Sequence, residues 1–394
     1  MKRRDLILTG SALATAGLAA GAAHAQSVPA QARSSPNIFE FGARGDGTTD
    51  DSAAFKQALQ VAAKEMRKVV VPAFTYGIHH TITFTSTAHT SRQWGLDCQG
   101  AVLLSKVTGG DVMSLTSHHI VRYFGISGGL TIRGSGRDKN GLRIFAPGPG
   151  GKHFYNFSLA DLSIEGVGED GLRLEGNVFE CQVLNSYFQD CGNNGATFAH
   201  SQAGICSSVN VIGCYFNQNG RFGLLATNFD DKHGGATDIR VIGGYCRENK
   251  LYGFYYNNGT AQGASVQQVG FENNCKSKSA GDPTGAHIFA QTRMQVRDCA
   301  GYNEFGGATY FLRGYFSALT TLDGCSQTSG GAVKATGKSR LVQVNGPATG
   351  HVIMRECVGG FDVASGSSAG WQAINCTGPS PVGNLPVNAT KSST

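Results

Sequence analysis

The chain has 394 residues, 33 of them basic and 27 acidic, for a formal net charge of +6, and its 56 glycines are about twice the usual share of roughly 7%. Only 10 prolines, 40% hydrophobic residues and no triplet repeat exclude collagen and proline-rich disorder, while a charged fraction of 15% excludes long solvated helices and coiled coils. The length admits two or three domains or one elongated all-β domain, and no apolar run beyond the N-terminus reaches the ~18 residues that span a bilayer.

In chain order, residues 1–25 read as an export signal. Lys2, Arg3 and Arg4 form a positive start, 6–23 is apolar and rich in Ala and Gly, and Ala23-His24-Ala25 is a small-x-small cleavage site. The twin arginines before Asp5-Leu6-Ile7-Leu8 resemble a bacterial twin-arginine signal, which predicts a periplasmic or secreted protein. Removing these charges leaves the mature chain at about +4, a weak bias toward an acidic ligand. Residues 26–36 form a linker.

Residues 38–51 read Ile-Phe-Glu-Phe-Gly-Ala-Arg-Gly-Asp-Gly-Thr-Thr-Asp-Asp, followed by Ala53, Phe55, Ala58, Leu59 and Ala62 at helical spacing. Thr49 to Asp51 are expected to supply the helix cap and first-turn acids. A strand opens at Lys68-Val69-Val70-Val71-Pro72, and Tyr76-Gly77-Ile78 follows. This segment resembles the entry of the pectate-lyase-like and rhamnogalacturonase-like right-handed parallel β-helix proteins, marked by FGAxGDGxTDDTxAF with a helix behind it; Ser52 stands where threonine is commoner. The resemblance implies that the helix caps the open N-terminal end of the solenoid, where a sheet edge lies unpaired. Calcium is the metal the acidic cluster would invite, but the spaced ligands of a calcium loop are missing, so no cofactor is expected.

From about residue 140 one phrase recurs, a glycine followed by residues that alternate inward and outward, at Gly141, Gly171, Gly195, Gly223, Gly253, Gly285, Gly307 and Gly331, with intervals of 30, 24, 28, 30, 32, 22 and 24 residues. Periods of 20 to 50 mark repeat architectures, and a side-chain period of two means strands. A second strand precedes each glycine, with Leu162, Ser186, Cys214 and Gly244 each nine residues before theirs. Asparagine-rich corners at 193–194, 217–220 and 257–259 suit the left-handed backbone region. The reading is an all-β, single-stranded right-handed parallel β-helix over 37–378 with an N-terminal capping helix and a loose, polar tail at 379–394. Eleven cysteines would suggest disulfides in an exported protein, but Cys214, Cys299, Cys325 and Cys357 recur at one place per repeat. That predicts a buried column of small apolar side chains and few or no disulfides.

Family signatures for activity do not carry over. The polygalacturonase-type motifs would fall at Glu169-Asp170-Gly171, Asn193-Asn194-Gly195, Arg221-Phe222-Gly223 and Leu251-Tyr252-Gly253, where Asp170 alone matches. Alginate epimerases of this fold carry Tyr-Gly-Phe-Asp-Pro-His, against Tyr252-Gly253-Phe254-Tyr255-Tyr256-Asn257 here. The aspartates and arginines of the calcium-dependent pectate lyases have no clear counterpart.

Geometry offers another route. Residues two after each glycine are expected to form an outward column of Arg143, Arg173, Thr197, Leu225, Tyr255, His287 and Thr309. Five after the glycine, His200, Asn228 and Asn258 adjoin, and the polar loop 228–235 brings Asp230, Asp231, Lys232 and His233. The leading expectation is a polysaccharide lyase that cleaves a uronate-containing glycan by β-elimination. Arg143, Arg173, Asn228, Asn258 and His287 would bind the acidic polysaccharide, Lys232, His200 or His233 would take the proton, and Tyr255 would protonate the leaving oxygen. A hydrolase would instead pair Asp170 with Asp230 or Asp231, two coils and about 9.6 Å away by ladder spacing, near the upper limit for inverting carboxylates. A third reading is a non-catalytic glycan-binding or envelope protein. Solvated columns and turns account equally for such residues. No nucleic-acid patch, phosphate loop or transmembrane segment is present. His79-His80 and His118-His119 are adjacent strand residues that face opposite ways and cannot share an ion.

Overall fold

The computed structural model describes residues 35–148, 152–199, 204–227, 236–257, 263–279, 282–305, 307–330, 340–345, 349–363, 370–377 and 391–392. Three long parallel sheets run the length of this unit. Sheet I runs from Asp46–Asp50 to Ser326–Ser329, sheet II from Ile82–Thr85 to Phe361–Val363, and sheet III from Lys68–Val70 to Lys391–Ser392. One coil passes through them in turn, as in His153–Ala160 on sheet III, Ser163–Glu165 on sheet I and Leu172–Gly176 on sheet II. Each strand pairs with its counterpart one coil away, so the chain is an all-β parallel solenoid of the right-handed type.

Alternation within each strand produces the core. On sheet II, Leu142, Leu172, Ala196, Leu224 and Phe254 stack inward in register and are buried. On sheet I the inward rings of Phe188 and Phe216 lie 5.3 Å apart at 12°. The repeat glycines have a steric cause: a Cβ at Gly171, Gly195 or Gly223 would come within 2.5 to 2.7 Å of the next coil's glycine carbonyl oxygen. A larger residue there must push the coils apart or shift the chain.

The corner after sheet I differs from the expectation for asparagine. The left-handed residues are Asp190, Gln218, Glu248 and Asn273, with φ between 48° and 56°. The asparagines that follow turn inward and form a ladder instead. Asn219 Nδ2 donates to Asn249 Oδ1 (2.9 Å), Asn249 Nδ2 to Asn274 Oδ1 (2.8 Å), and Asn274 Nδ2 meets His287 Nδ1 (3.1 Å). An amide carries both an acceptor oxygen and donor N–H groups, so each rung accepts from the coil on one side and donates to the coil on the other.

All eleven cysteines are free, and ten are buried. Cys299, Cys325, Cys357 and Cys376 precede residues bridged coil to coil, which gives the expected column. Each thiol donates to the carbonyl two residues earlier, at 3.1 to 3.3 Å.

The helix is Ser52–Glu65, the single α-helix among the described residues, and it buries Phe55, Ala58, Leu59 and Ala62 as expected, whereas Ala53 is exposed and Ala54 takes its place on the buried face. It packs on Ile82–Thr85 and Trp94–Asp97 of the first coils, with Phe55 edge-on to Tyr76 at 5.2 Å. Its acids depart from the cap reading. Asp51 sits at the N-cap but makes no cap bond; its carboxylate accepts from Arg44 N (2.6 Å) and Gly45 N (3.2 Å) and closes the preceding loop. Asp50 Oδ1 takes Ser52 N at 3.1 Å, while Asp46 accepts from Thr48 and Thr49 inside the strand Asp46–Asp50. In the tail expected to be loose, Lys391–Ser392 pairs with Ala373 and Ile374.

Candidate functional site

The outer face of sheet II carries the expected column through Arg143, Arg173, Thr197, Leu225 and Tyr255. Beyond Tyr255 the column continues with Phe289, Arg313, Gln343 and Asp362, so His287 and Thr309 are not in it. The segment between Asn274 and His287 is longer than its counterparts, and Gly285 falls inside that extra length. Phe254 therefore pairs with Ile288, and His287 takes the repeat-glycine position, where Gly253 N donates to its carbonyl (2.8 Å). A side chain there turns inward. His287 is fully buried against Phe271 and Asn274, not on the substrate face. Thr309 is buried as well, with its hydroxyl on Asp282 O (2.8 Å).

The N-terminal half of the face is a charged groove of about 500 Å³. Thr83 and Ser114 precede Arg143 in the column, and their short side chains leave the space open. Asp111, Lys139 and Glu169 line it together with the arginines and Glu175. Arg143 donates to Glu175 Oε2 through Nε (3.2 Å) and Nη2 (3.0 Å), and Arg173 Nε donates to the same oxygen (3.0 Å). Burial would raise the Glu175 carboxyl, but the bond and charge of Arg173, joined by Arg143, outweigh it and hold it below the usual range. The same contacts, with Asp170, overcome burial and raise Arg173.

Asp170 is a rung of a second buried ladder. Its Oδ1 accepts from Asn194 N (3.2 Å) and Asn194 Nδ2 (2.9 Å), its backbone N donates to Asn140 Oδ1 (3.3 Å), and Arg173 Nη1 reaches its Oδ2 (3.1 Å). Both oxygens are committed, and the side chain is 3% exposed.

The next coils carry an aromatic wall. Tyr255 lies between Phe222 (4.8 Å, 26°) and Phe289 (4.9 Å, 10°), with Tyr252 at 5.6 Å. Arg221 sits over Phe222 at 5.1 Å, and Arg313 Nη1 donates to the Tyr252 hydroxyl at 3.4 Å. Burial, with a smaller push from Tyr315 and an opposing one from Arg221, raises the Tyr255 phenol. Burial also lifts Tyr252, to about 12. The Tyr255 hydroxyl bonds to none of the described residues and is free to meet a ligand. Three coil spacings, about 14 Å, separate Arg173 from Tyr255, too far for one sugar unit to touch both.

His200, Asn228, Asp230, Asp231, Lys232, His233 and Asn258 lie outside the described residues. Phe222, Phe289, Arg221 and Arg313 were not identified from the sequence. Arg221-Phe222 stands directly before a repeat glycine and was legible, whereas Phe289 and Arg313 follow the register change. No group of three or more His, Cys, Asp or Glu that could hold a metal occurs among the described residues.

Residues 35–90 match the family model described as rhamnogalacturonase A/epimerase, pectate lyase-like. No curated protein matches the sequence. Among solved structures, the A-module of Azotobacter vinelandii mannuronan C-5 epimerase AlgE4 is 14% identical, with 91% of this chain and 100% of that module covered and a TM-score of 0.57. The catalytic unit of the GH87 α-1,3-glucanase from Streptomyces thermodiastaticus is 14% identical, with 92% and 71% covered and a TM-score of 0.54. The N-terminal fragment of bacteriophage phi29 gene product 12 is 14% identical, with 90% and 71% covered and a TM-score of 0.57. At these identities the likeness is one of fold. Residues 35–90 thus resemble the pectate-lyase-like, rhamnogalacturonase-like family, and the coil stack shares the parallel β-helix fold of these structures.

Proposed function

We propose that the protein is an exported, glycan-acting enzyme that binds an acidic polysaccharide along sheet II and cleaves a uronate linkage by β-elimination. The observation that carries this reading is Tyr255, a phenol held between two rings with an unengaged hydroxyl, on a face flanked by Arg143, Arg173, Arg221 and Arg313. In the reaction a base removes the proton α to the carboxylate, its electron pair forms the ring double bond, and the bond to the leaving oxygen breaks. Tyr255 gives that oxygen its proton. Lys232, His200 or His233 is the base, as the sequence suggests. Arg221 and Arg313, beside the aromatic wall, neutralise the carboxylate of the reacting sugar, while Arg143 and Arg173 hold a sugar further along the chain. The step needs no cofactor.

The similar solved structures named for a mannuronan epimerase and an α-1,3-glucanase support a glycan substrate. The hydrolase reading is weaker, because Asp170 is committed to its ladder and to Arg173. Export by the twin-arginine route to the periplasm or beyond fits residues 1–25.

The test is turnover on a panel of acidic and neutral polysaccharides, followed by ultraviolet absorbance and reducing ends together. Both signals rising on a uronate polymer is the expected result. Reducing ends without absorbance would replace elimination by hydrolysis. Binding without either signal would make this a glycan-binding protein.

A further inference from the structure

Where sheet II passes into sheet III, early coils assemble a cluster outside the groove. His89 and His119 lie ring to ring at 5.4 Å, and His153 N donates to His119 O at 3.2 Å. His89 Nδ1 accepts from Ile120 N (3.0 Å), and the residue is exposed. The neighbouring outward row is Arg122, Tyr155 and Phe179, in register on successive strands. The guanidinium of Arg122 sits 4.7 Å over the Tyr155 ring, Tyr155 and Phe179 stack at 5.6 Å and 22°, and His153 lies 5.0 and 5.2 Å from those two rings.

Arg122 is the unusual member. Its side chain makes no hydrogen bond or ion pair with a described residue, and its Nε is buried without a partner. Among the described residues no carboxylate pairs with Arg122, His89, His119 or His153. Burial, then the charges of Arg122 and His89, push the His153 imidazole below its usual range, so it stands as a neutral N–H donor. A half-desolvated guanidinium with idle planar donors favours an oxyanion, and ring faces beside it favour the CH surface of a sugar.

We propose that this corner is a second glycan-binding site that takes an oxyanion borne on a sugar ring, either a uronate carboxylate or a sulfate ester. Arg122 supplies the charge, His119 and His153 supply further donors, and Tyr155 with Phe179 supplies the apolar surface. The site stands whether the protein cleaves its glycan or only holds it, because none of these residues faces the sheet II groove.

Calorimetric titration of the full chain at constant ionic strength tests it. The probes are an oligogalacturonate trimer, a sulfated galactan tetramer, the desulfated tetramer and sodium sulfate alone. At least one anionic oligosaccharide should bind tenfold or more tightly than the desulfated tetramer. Arg122→Gln should weaken that binding at least tenfold, Arg122→Lys less so, and Arg133→Gln, on sheet I, should leave it unchanged. Thermal unfolding of Arg122→Lys and Arg122→Gln alongside wild type separates lost binding from lost fold. Equal affinity for charged and desulfated sugars, or a number of anionic-oligosaccharide sites per chain that Arg122→Gln leaves unchanged, would overturn the site. Sodium sulfate binding as tightly as the sulfated tetramer would overturn the sugar-borne assignment. The two anionic probes distinguish carboxylate from sulfate.

Discussion

Tyr255 and His287 show how the same repeat position number leads to opposite fates. Tyr255 stands outward between two rings with its hydroxyl unengaged. Tyr255→Phe should therefore lower kcat by about 10²- to 10⁴-fold, the usual contribution of a positioned acid. KM should change little, and chemical denaturation should stay within about 0.5 kcal/mol of wild type, since no described hydrogen bond is lost. His287 was expected on the same face, but it is buried, with its Nε2 unpartnered and its pKa pushed by burial from 6.5 down to about 3. Below pH 6.5 the unfolded chain binds a proton that the folded chain does not. Stability is thus intact above that pH and falls as pH drops toward about 3, by ~1.4 kcal/mol per pH unit. Urea unfolding of His287→Gln between pH 7.5 and 4 should show this slope reduced by one proton. An unchanged slope would mean that His287 is not held neutral.

At the scale of the element, the asparagine ladder ties the corner after sheet I from coil to coil. Asn249 accepts from Asn219 N (3.1 Å) and Nδ2 (2.9 Å), and it donates to Phe216 O (3.0 Å) and Asn274 Oδ1 (2.8 Å). Asn249→Ala leaves buried donors and acceptors unpaired, so it should cost about 2–4 kcal/mol. Gln295→Ala, on an exposed strand position, should stay within about 0.5 kcal/mol. Equal losses in the two variants would show that the ladder merely fills space. The asparagine corners were visible in the sequence, but their reason was not. Spacing marks a turn, whereas only the stacked coils reveal that Gln218 takes the left-handed conformation and Asn219 carries the bonds.

At the scale of the whole unit, the helix Ser52–Glu65 covers the first coils, and Phe55 is its fully buried anchor. Phe55→Ala should cost about 3–5 kcal/mol. By loosening the cover over an unpaired sheet edge, it should also promote self-association, seen as a rise in light scattering. A solenoid is stabilised by neighbour contacts between coils, so damage at the first coil exposes the next one.

The period of the glycines and the two-residue alternation determined the architecture from the sequence alone, because each reflects a local rule: a side chain at the repeat glycine meets the next coil's backbone, and strand side chains alternate. The entry segment and its helix were legible for the same reason, although Asp51 closes the preceding loop and it is Asp50 that bonds the first N–H of the helix. Arg143, Arg173 and Tyr255 shared a column because the spacing stays regular through Gly253. The tertiary structure alone decided what lies beyond it. The extra length after Asn274 moves the register by two residues, which sends His287 into the interior and brings Phe289 and Arg313 onto the face. It also decided which charges are already committed, since Arg143 meets Glu175 across 32 residues of chain and Asn194 meets Asp170 across 24, a proximity that stacking creates and linear order conceals.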